Sequence, residues 1–254
     1  MPVQPPRPQY RQVADLIRIA IETGEYAPGS ELPAEDQLSR LYDVSRATVN
    51  RAVLILRGEG AVRVERGKRT VVRELPVLRR EGVARQQASA RGSGDARGAF
   101  QAELDRLGLA ARSDAEVTQE EAGAEIAALL DVDAGSSVVV RRRRMYGNEV
   151  PVQMATSFLP GDIAVGTALA ATDPGPGGIY SRLSDLGHAP AVFSESVRVR
   201  LPADEEAAFL RMDAEQRVLA VRRLARTAAG RVVEVNEIVM PAHQWELYYE
   251  WRAD

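Results

Sequence analysis

Two stretches of this sequence carry side chains arranged to do chemistry, and in both it is the chemistry of gripping anions. The first is Ser45-Arg46-Ala47-Thr48-Val49-Asn50-Arg51, followed later by Arg66-Gly67-Lys68-Arg69. Short polar groups and arginines at the start of a helix suit a major-groove reader, because arginine can hold guanine through two hydrogen bonds. Three cations around a glycine suit phosphates or the minor groove. The second stretch is Arg141-Arg142-Arg143-Arg144. On a strand, alternate residues face opposite sides, so Arg141 and Arg143 share one face and Arg142 and Arg144 the other. A pair turned inward would hold a carboxylate or phosphate through paired N–H donors. A pair turned outward would be solvated or tied in surface ion pairs.

Nothing comparable points to catalysis. There is no P-loop, nucleophile elbow or paired-carboxylate pattern, and the two histidines, His188 and His243, lie far apart without metal-ligand spacing. Cysteine is absent, which excludes disulfides and thiolate sites. No catalytic residue, metal or cofactor is therefore expected. The 254 residues carry a formal charge of −3, so the chain as a whole is no polycation. Yet Gln37 to Arg73 holds nine Lys and Arg against three Asp and Glu, the local basic footprint of a nucleic-acid face. No apolar run reaches spanning length, and no charged start precedes an apolar stretch. The expectation is a cytoplasmic protein with no membrane partner.

The elements that must position these groups follow from spacing. Val13, Leu16, Ile17, Ala20 and Ile21 mark a helix over residues 10–23, with Tyr10 at its start as a phosphate contact or a staple. Pro33 suits the first position of a second helix, whose apolar face is Leu38, Leu41 and Tyr42. Asp43-Val44 makes a turn and Ser45 an N-cap. Val49, Ala52, Val53 and Leu56 then recur at helical spacing and must face the core. Arg46, Ala47, Thr48 and Asn50 are left outside, and Gly60 fits just past the helix end. Ala61 to Glu65 and Thr70 to Arg73 read as a hairpin about the cationic tip. Helix-turn-helix plus hairpin is a winged helix, assigned to residues 1–74.

Residues 75–98 read as a linker, because Arg85 to Gly98 is polar, glycine-bearing and poor in apolar residues. A second domain over residues 99–254 mixes helices and antiparallel strands. Helices are expected around Phe100 to Leu107 and over Glu120 to Leu130, Ile179 to Leu186 and Asp204 to Leu210. Strands are expected at Val138 to Tyr146, Val152 to Leu159, Phe193 to Leu201, Val218 to Thr227 and Val232 to Met240. The fold class is therefore α+β.

Residues 10–73 resemble the DNA-binding domain of the GntR family of bacterial transcription regulators. The ordered matches are Tyr10, Ile21-Glu22-Thr23-Gly24, Pro28-Gly29, Leu32-Pro33-Ala34-Glu35, Val44 to Val49, Ala52, Leu56, Glu59-Gly60 and Gly67. Asp36 and Asn50 stand where some members have arginine, so base preference would differ. The resemblance implies DNA contacts from Tyr10, Glu35, Ser45, Arg46, Ala47, Thr48, Asn50, Arg66, Gly67, Lys68 and Arg69.

Residues 90–250 are similar to the UTRA effector-binding domain of the HutC subfamily, which has a chorismate-lyase-like α+β fold. The matches are the arginine-rich strand before Pro151, Thr156 to Pro160, Ile179 to Leu183, Gly230, Val233-Glu234 and Tyr249-Glu250. The resemblance implies an effector site with Arg143, Ser157, Tyr180 and Glu234. Arg141 joins by sharing the face of Arg143, and Glu195 by strand position. Ala155 and Gly178 replace a glutamate and a serine of sugar-phosphate binders, which argues against an amino-sugar phosphate. The implied protein is a repressor that binds a palindromic operator in double-stranded DNA as a homodimer, with affinity set by a small-molecule effector. The alternative, an enzyme of chorismate-lyase-like fold with an accessory DNA-binding domain, is set aside because no catalytic motif supports it.

Overall fold

In the computed structural model, residues 7–65, 69–82, 99–213 and 215–251 are described. The chain divides into two compact units, Met1–Val77 with Met212–Gln216, and Leu78–Arg211 with Arg217–Asp254.

The first unit packs three helices and a hairpin: α1 (Gln9–Glu22), α2 (Glu35–Leu41), α3 (Arg46–Gly58), β1 (Val62–Glu65) and β2 (Arg69–Val72). The stripe of α1 buries Val13, Ala14, Ile17 and Ala20. The seam of α3 buries Val49, Ala52, Val53 and Leu56, and Leu32, Leu38, Val62 and Val72 complete the core. Ser45 caps α3, its Oγ accepting from the Thr48 N–H at 3.2 Å. Asp43 in the turn and Gly60 past α3 both take positive φ, 50° and 69°. Pro33 does not open α2 as expected. The helix starts at Glu35, and the Ala34 N–H donates to Gln37 Oε1 at 2.9 Å, the reciprocal half of a capping box.

The second unit is built on a six-stranded antiparallel sheet. Its strands are β4 (Ala111–Glu121), β5 (Ser137–Gly147), β6 (Val150–Pro160), β7 (Val192–Arg200), β8 (Val218–Arg226) and β9 (Val232–Pro241), in spatial order β4-β5-β6-β9-β8-β7. The β5–β6 turn sets Asn148 and Glu149 at φ 46° and 63°, the two positive values that a twisted two-residue hairpin requires. On one face α6 (Gly161–Ala164), the 3₁₀ turn Ala168–Ala170 and α7 (Gly178–Asp185) pack Ile163, Ala164, Leu169 and Leu183 against Val139, Leu159 and Ala225. On the other, α5 (Ala124–Leu130) packs Ala127 and Leu130 against Val138, Val140 and Val235. Among the described residues the unit has two further helices, α4 (Ala99–Asp105) and α8 (Asp204–Leu210).

Three expectations change. The stretch read as linker contains a strand, β3 (Leu78–Glu81), paired in parallel with β10 (Trp245–Tyr248). Leu78 and Arg80 are buried there, and the charge of Arg80 is met by Glu195, a pairing at a distance that the local sequence does not show. The rest of that stretch, residues 83–98, lies outside the described residues. Residues 111–119 were not read as structured, yet they form β4, an edge strand whose many polar side chains tolerate solvent. As a result, the helix expected from Glu120 begins only at Ala124.

Candidate DNA interface and effector site

The N-terminal turn of α3 leaves Ser45, Arg46, Ala47 and Asn50 exposed, opposite the buried seam. Thr48 is half-buried and its Oγ1 lies 2.9 Å from Ser45 Oγ. Arg46 and Asn50 are each held by a carboxylate of the same surface. Arg46 Nε lies 3.0 Å from Asp36 Oδ1, and Asn50 Nδ2 donates to Glu35 Oε1 at 3.0 Å. Arg69 pairs with Glu31. These pairs are largely exposed, so each is worth a fraction of a kcal/mol and gives way readily to a phosphate. Tyr10 packs under the guanidinium of Arg51, 4.4 Å from ring centroid to Cζ. The wing tip residues Arg66, Gly67 and Lys68 lie outside the described residues.

The four-arginine strand is β5, and the sheet decides its faces. Arg142 points outward to Glu120, at 2.6 and 3.0 Å, and Arg144 to Glu205, at 3.0 Å. Arg141 is buried and Arg143 half-buried on the opposite face, under α7 and the 3₁₀ turn. The Arg141 guanidinium donates to the backbone carbonyls of Leu169, Ala171 and Thr172, so it fastens the loop that leads to α7. Burial lowers its pKa, and that of Arg143 as well.

Arg143 starts a continuous chain of hydrogen bonds. Its Nη2 donates to Ser157 Oγ at 2.9 Å, Ser157 donates to Glu234 Oε1 at 2.7 Å, and the Tyr180 hydroxyl donates to Glu234 Oε2 at 2.5 Å. Ser157 and Glu234 are fully buried. The Tyr180 hydroxyl is held protonated, its pKa raised by burial and by the Glu234 carboxylate. Gly177 and Gly178 both have positive φ, 79° and 66°, at the start of α7, a geometry that a serine at 178 would strain.

Glu195 behaves differently from a free pocket carboxylate. It is gripped by the fully buried Arg80 through both oxygens, one of them at 3.0 Å, and by the Tyr249 hydroxyl at 2.8 Å. Burial pushes its carboxyl up, but the Arg80 hydrogen bond and charge outweigh that and hold it below the ordinary value. Gly82 makes this possible, because a Cβ there would collide with the Tyr249 ring.

Register explains why these groups meet. Arg141 opposes Ser157, Ser157 opposes Asn236, Asn236 opposes Arg223 and Arg223 opposes Glu195. Directly opposed residues in an antiparallel sheet share a face. Five polar side chains therefore form one row across five strands, where a sheet interior is ordinarily apolar. Arg223 and Asn236, 7% and 2% exposed, belong to this row and were missed by the sequence reading.

The comparisons with known proteins fall on the same two units. Residues 9–72 match the model described as bacterial regulatory proteins, gntR family, and residues 113–246 match the UTRA domain. An uncharacterised HTH-type transcriptional regulator of Streptomyces coelicolor is 33% identical over 236 residues, covering 91% of this chain and 87% of that one. The chain belongs to the gntR family. It is a DNA-binding transcription regulator whose C-terminal UTRA domain binds a small-molecule ligand. Two further relatives each add something to this regulator. MngR of Escherichia coli, the mannosyl-D-glycerate transport/metabolism system repressor, is 41% identical over 68 residues, 27% of this chain and 28% of that one. The crystal structure of PhnF from Mycobacterium smegmatis superimposes with a TM-score of 0.60 at 23% identity, covering 95% of this chain and 99% of that one, and shares the fold. Among the described residues no helix of the regulator is long and apolar enough to cross a membrane, and no cluster of side chains could hold a metal ion.

Proposed function

We propose that this GntR regulator is a repressor that binds a palindromic operator as a homodimer in the cytoplasm and releases it when an anionic effector occupies the polar face of the UTRA domain. The observation that carries the reading is the Arg143–Ser157–Glu234–Tyr180 chain. A guanidinium set on a covered sheet face costs several kcal/mol of desolvation unless an anion offsets it. Arg143 has no carboxylate within hydrogen-bond distance among the described residues, and its Nε is buried without a partner. The likeness of the DNA-binding unit to the MngR repressor supports repression. Arg143, Ser157, Tyr180 and Glu234 contact the effector in this reading, while Arg141 and Glu195 position them. The same reading places the DNA contacts on Tyr10, Ser45 to Thr48, Asn50 and the wing cations, and assigns the regulator no catalytic step.

The test begins with selection of bound genomic fragments to obtain the operator. Operator affinity is then measured by fluorescence anisotropy with and without small acids and phosphorylated metabolites. Effector should weaken operator binding by about 5- to 150-fold, the usual span of allosteric coupling. In Arg143→Met the ratio of the two affinities should fall to one. An undiminished response in that variant would refute the site.

A further inference from the structure

The polar row does not end at Ser157. Two strands beyond Ser157 it reaches Arg223, whose guanidinium lies 5.8 Å from the centroid of the Tyr180 ring. Arg223 is 7% exposed, its Nε is buried without a hydrogen-bond partner, and no carboxylate comes within hydrogen-bond distance among the described residues. Glu195 Oε1 lies 3.9 Å from the Arg223 guanidinium, and that oxygen is already engaged by Arg80. The Tyr180 hydroxyl and the carboxylates of Glu234, Glu195 and Glu103 set a negative field around Arg223. Between Ser157 and Arg223 sits Asn236, 2% exposed, with its Oδ1 buried and unpartnered. Buried polar atoms are nearly always satisfied, so two directly opposed residues on one face, Arg223 and Asn236, each with open hydrogen-bonding capacity, mark a place made for something else to bind.

We propose that Arg223 and Asn236 form a second anchor of the effector site, and that the effector carries two anionic groups, one held by Arg143 and the other by Arg223. This rests on the effector site proposed above. Arg143 stands on β5 and Arg223 on β8, three strand spacings apart and two residues out of row, about 16 Å between backbones. The Arg143 guanidinium reaches Ser157, and that of Arg223 lies at the Tyr180 ring. Tyr180 lies between them, with its hydroxyl on Glu234 and its ring toward Arg223. A small monoanion would satisfy one guanidinium and leave the other as it is. A dicarboxylate or a phosphorylated acid of a few carbons satisfies both, with its middle against Asn236. Planar guanidinium forks suit carboxylate and phosphate alike, so the shared chemistry is a bis-anion.

Matched probe pairs test this on the full-length protein by calorimetry: butyrate against succinate, valerate against glutarate, and glycerol 3-phosphate against 3-phosphoglycerate. Each pair differs by one anionic group at similar length. In wild type at least one bis-anion should bind about tenfold or more tightly than its partner, the fold-change expected for one charge-assisted hydrogen-bonded anchor. Arg223→Met should erase that preference while retaining affinity for the mono-anion, and Arg143→Met should weaken both members. Arg223→Lys, which keeps the charge facing Glu195 but not the fork, serves if the methionine variant does not fold, and should also lose most of the preference. If wild type prefers no bis-anion, or if the Arg223 variants keep the preference, the second anchor is wrong. Loss of both probes in Arg143→Met would then leave the primary site standing. Failure of Arg143→Met to weaken either probe would instead overturn the site itself.

Discussion

Replacing Arg80 by methionine should destabilise the UTRA unit by about 3 kcal/mol. Arg80 is fully buried, and its two hydrogen bonds to Glu195 form a closed ion pair whose carboxylate side chain is only 10% exposed. Removing one partner of such a pair typically costs 3–5 kcal/mol, because the other charge is left without compensation. The lower end applies here. Glu195 would keep the Tyr249 hydroxyl at 2.8 Å and Arg223 at 3.9 Å, and methionine would fill most of the arginine's volume. For a unit of this size each kcal/mol moves the midpoint by roughly 2–4 °C, so a loss of about 6–12 °C is expected. Trp245 is the reporter. It is buried in β10, opposite Leu78 of the strand that carries Arg80, and its indole N–H donates to the Val152 carbonyl at 2.8 Å. Its fluorescence in thermal and urea unfolding follows this part of the unit. Glu195→Gln should cost a similar amount, and the double variant less than the sum of the two, because neither charge is then stranded. A midpoint shift under about 2 °C in Arg80→Met, or strict additivity in the double variant, would refute the buried pair as a stabilising contact.

Other outcomes follow from the same structure. Ser45→Ala removes the cap that accepts the Thr48 N–H and should destabilise the DNA-binding unit by about 0.5–2 kcal/mol in circular-dichroism melts, whereas an unchanged midpoint would count against the cap. Arg46→Ala should weaken operator binding by about 1–3 kcal/mol per half-site at fixed salt, with much less effect on unrelated DNA, and equal losses on both would make Arg46 a phosphate rather than a base contact. Glu195 has a folded pKa held below its ordinary value of 4.5, so its stabilisation is fully present above that value and is lost as pH falls through the folded pKa. Wild type should therefore lose its stability advantage over Glu195→Gln on acidification below about pH 4.5, measured as converging Trp245 melts. A constant gap across that range would show that Glu195 is not ionised through Arg80.

The first unit was legible because its signals are local. The seam of Val49, Ala52, Val53 and Leu56 fixes which side of α3 is buried, and with it which side Arg46 and Asn50 occupy. A cap such as Ser45 acts within three residues, so its role is written next to it. What escaped there was pairing at a distance. Asp36 reads from sequence as a poor phosphate ligand, but only the fold brings it 3.0 Å from Arg46.

The second unit shows the limit of local signals more sharply. Alternation along β5 separates Arg141 and Arg143 from Arg142 and Arg144, yet it does not say which pair is covered. That is decided by α7 and the 3₁₀ turn, which pack over the face carrying Val139 and Leu159. Arg223 looked like one more cation in a hairpin strand, beside Arg222, which pairs outward with Glu237 at 2.6 Å. Its place in the polar row depends on β9 being inserted between β6 and β8, so that residues 157, 236 and 223 stand side by side. Arg80 was hidden for the same reason, since the strand that buries it is completed by β10, more than 160 residues later. The groups that make this face polar are thus supplied by six different strands, β3, β5, β6, β7, β8 and β9, with Tyr180 added from α7. Composition and period can show that each strand exists and carries an arginine or a carboxylate. Only the order of the strands turns those separate residues into one polar face.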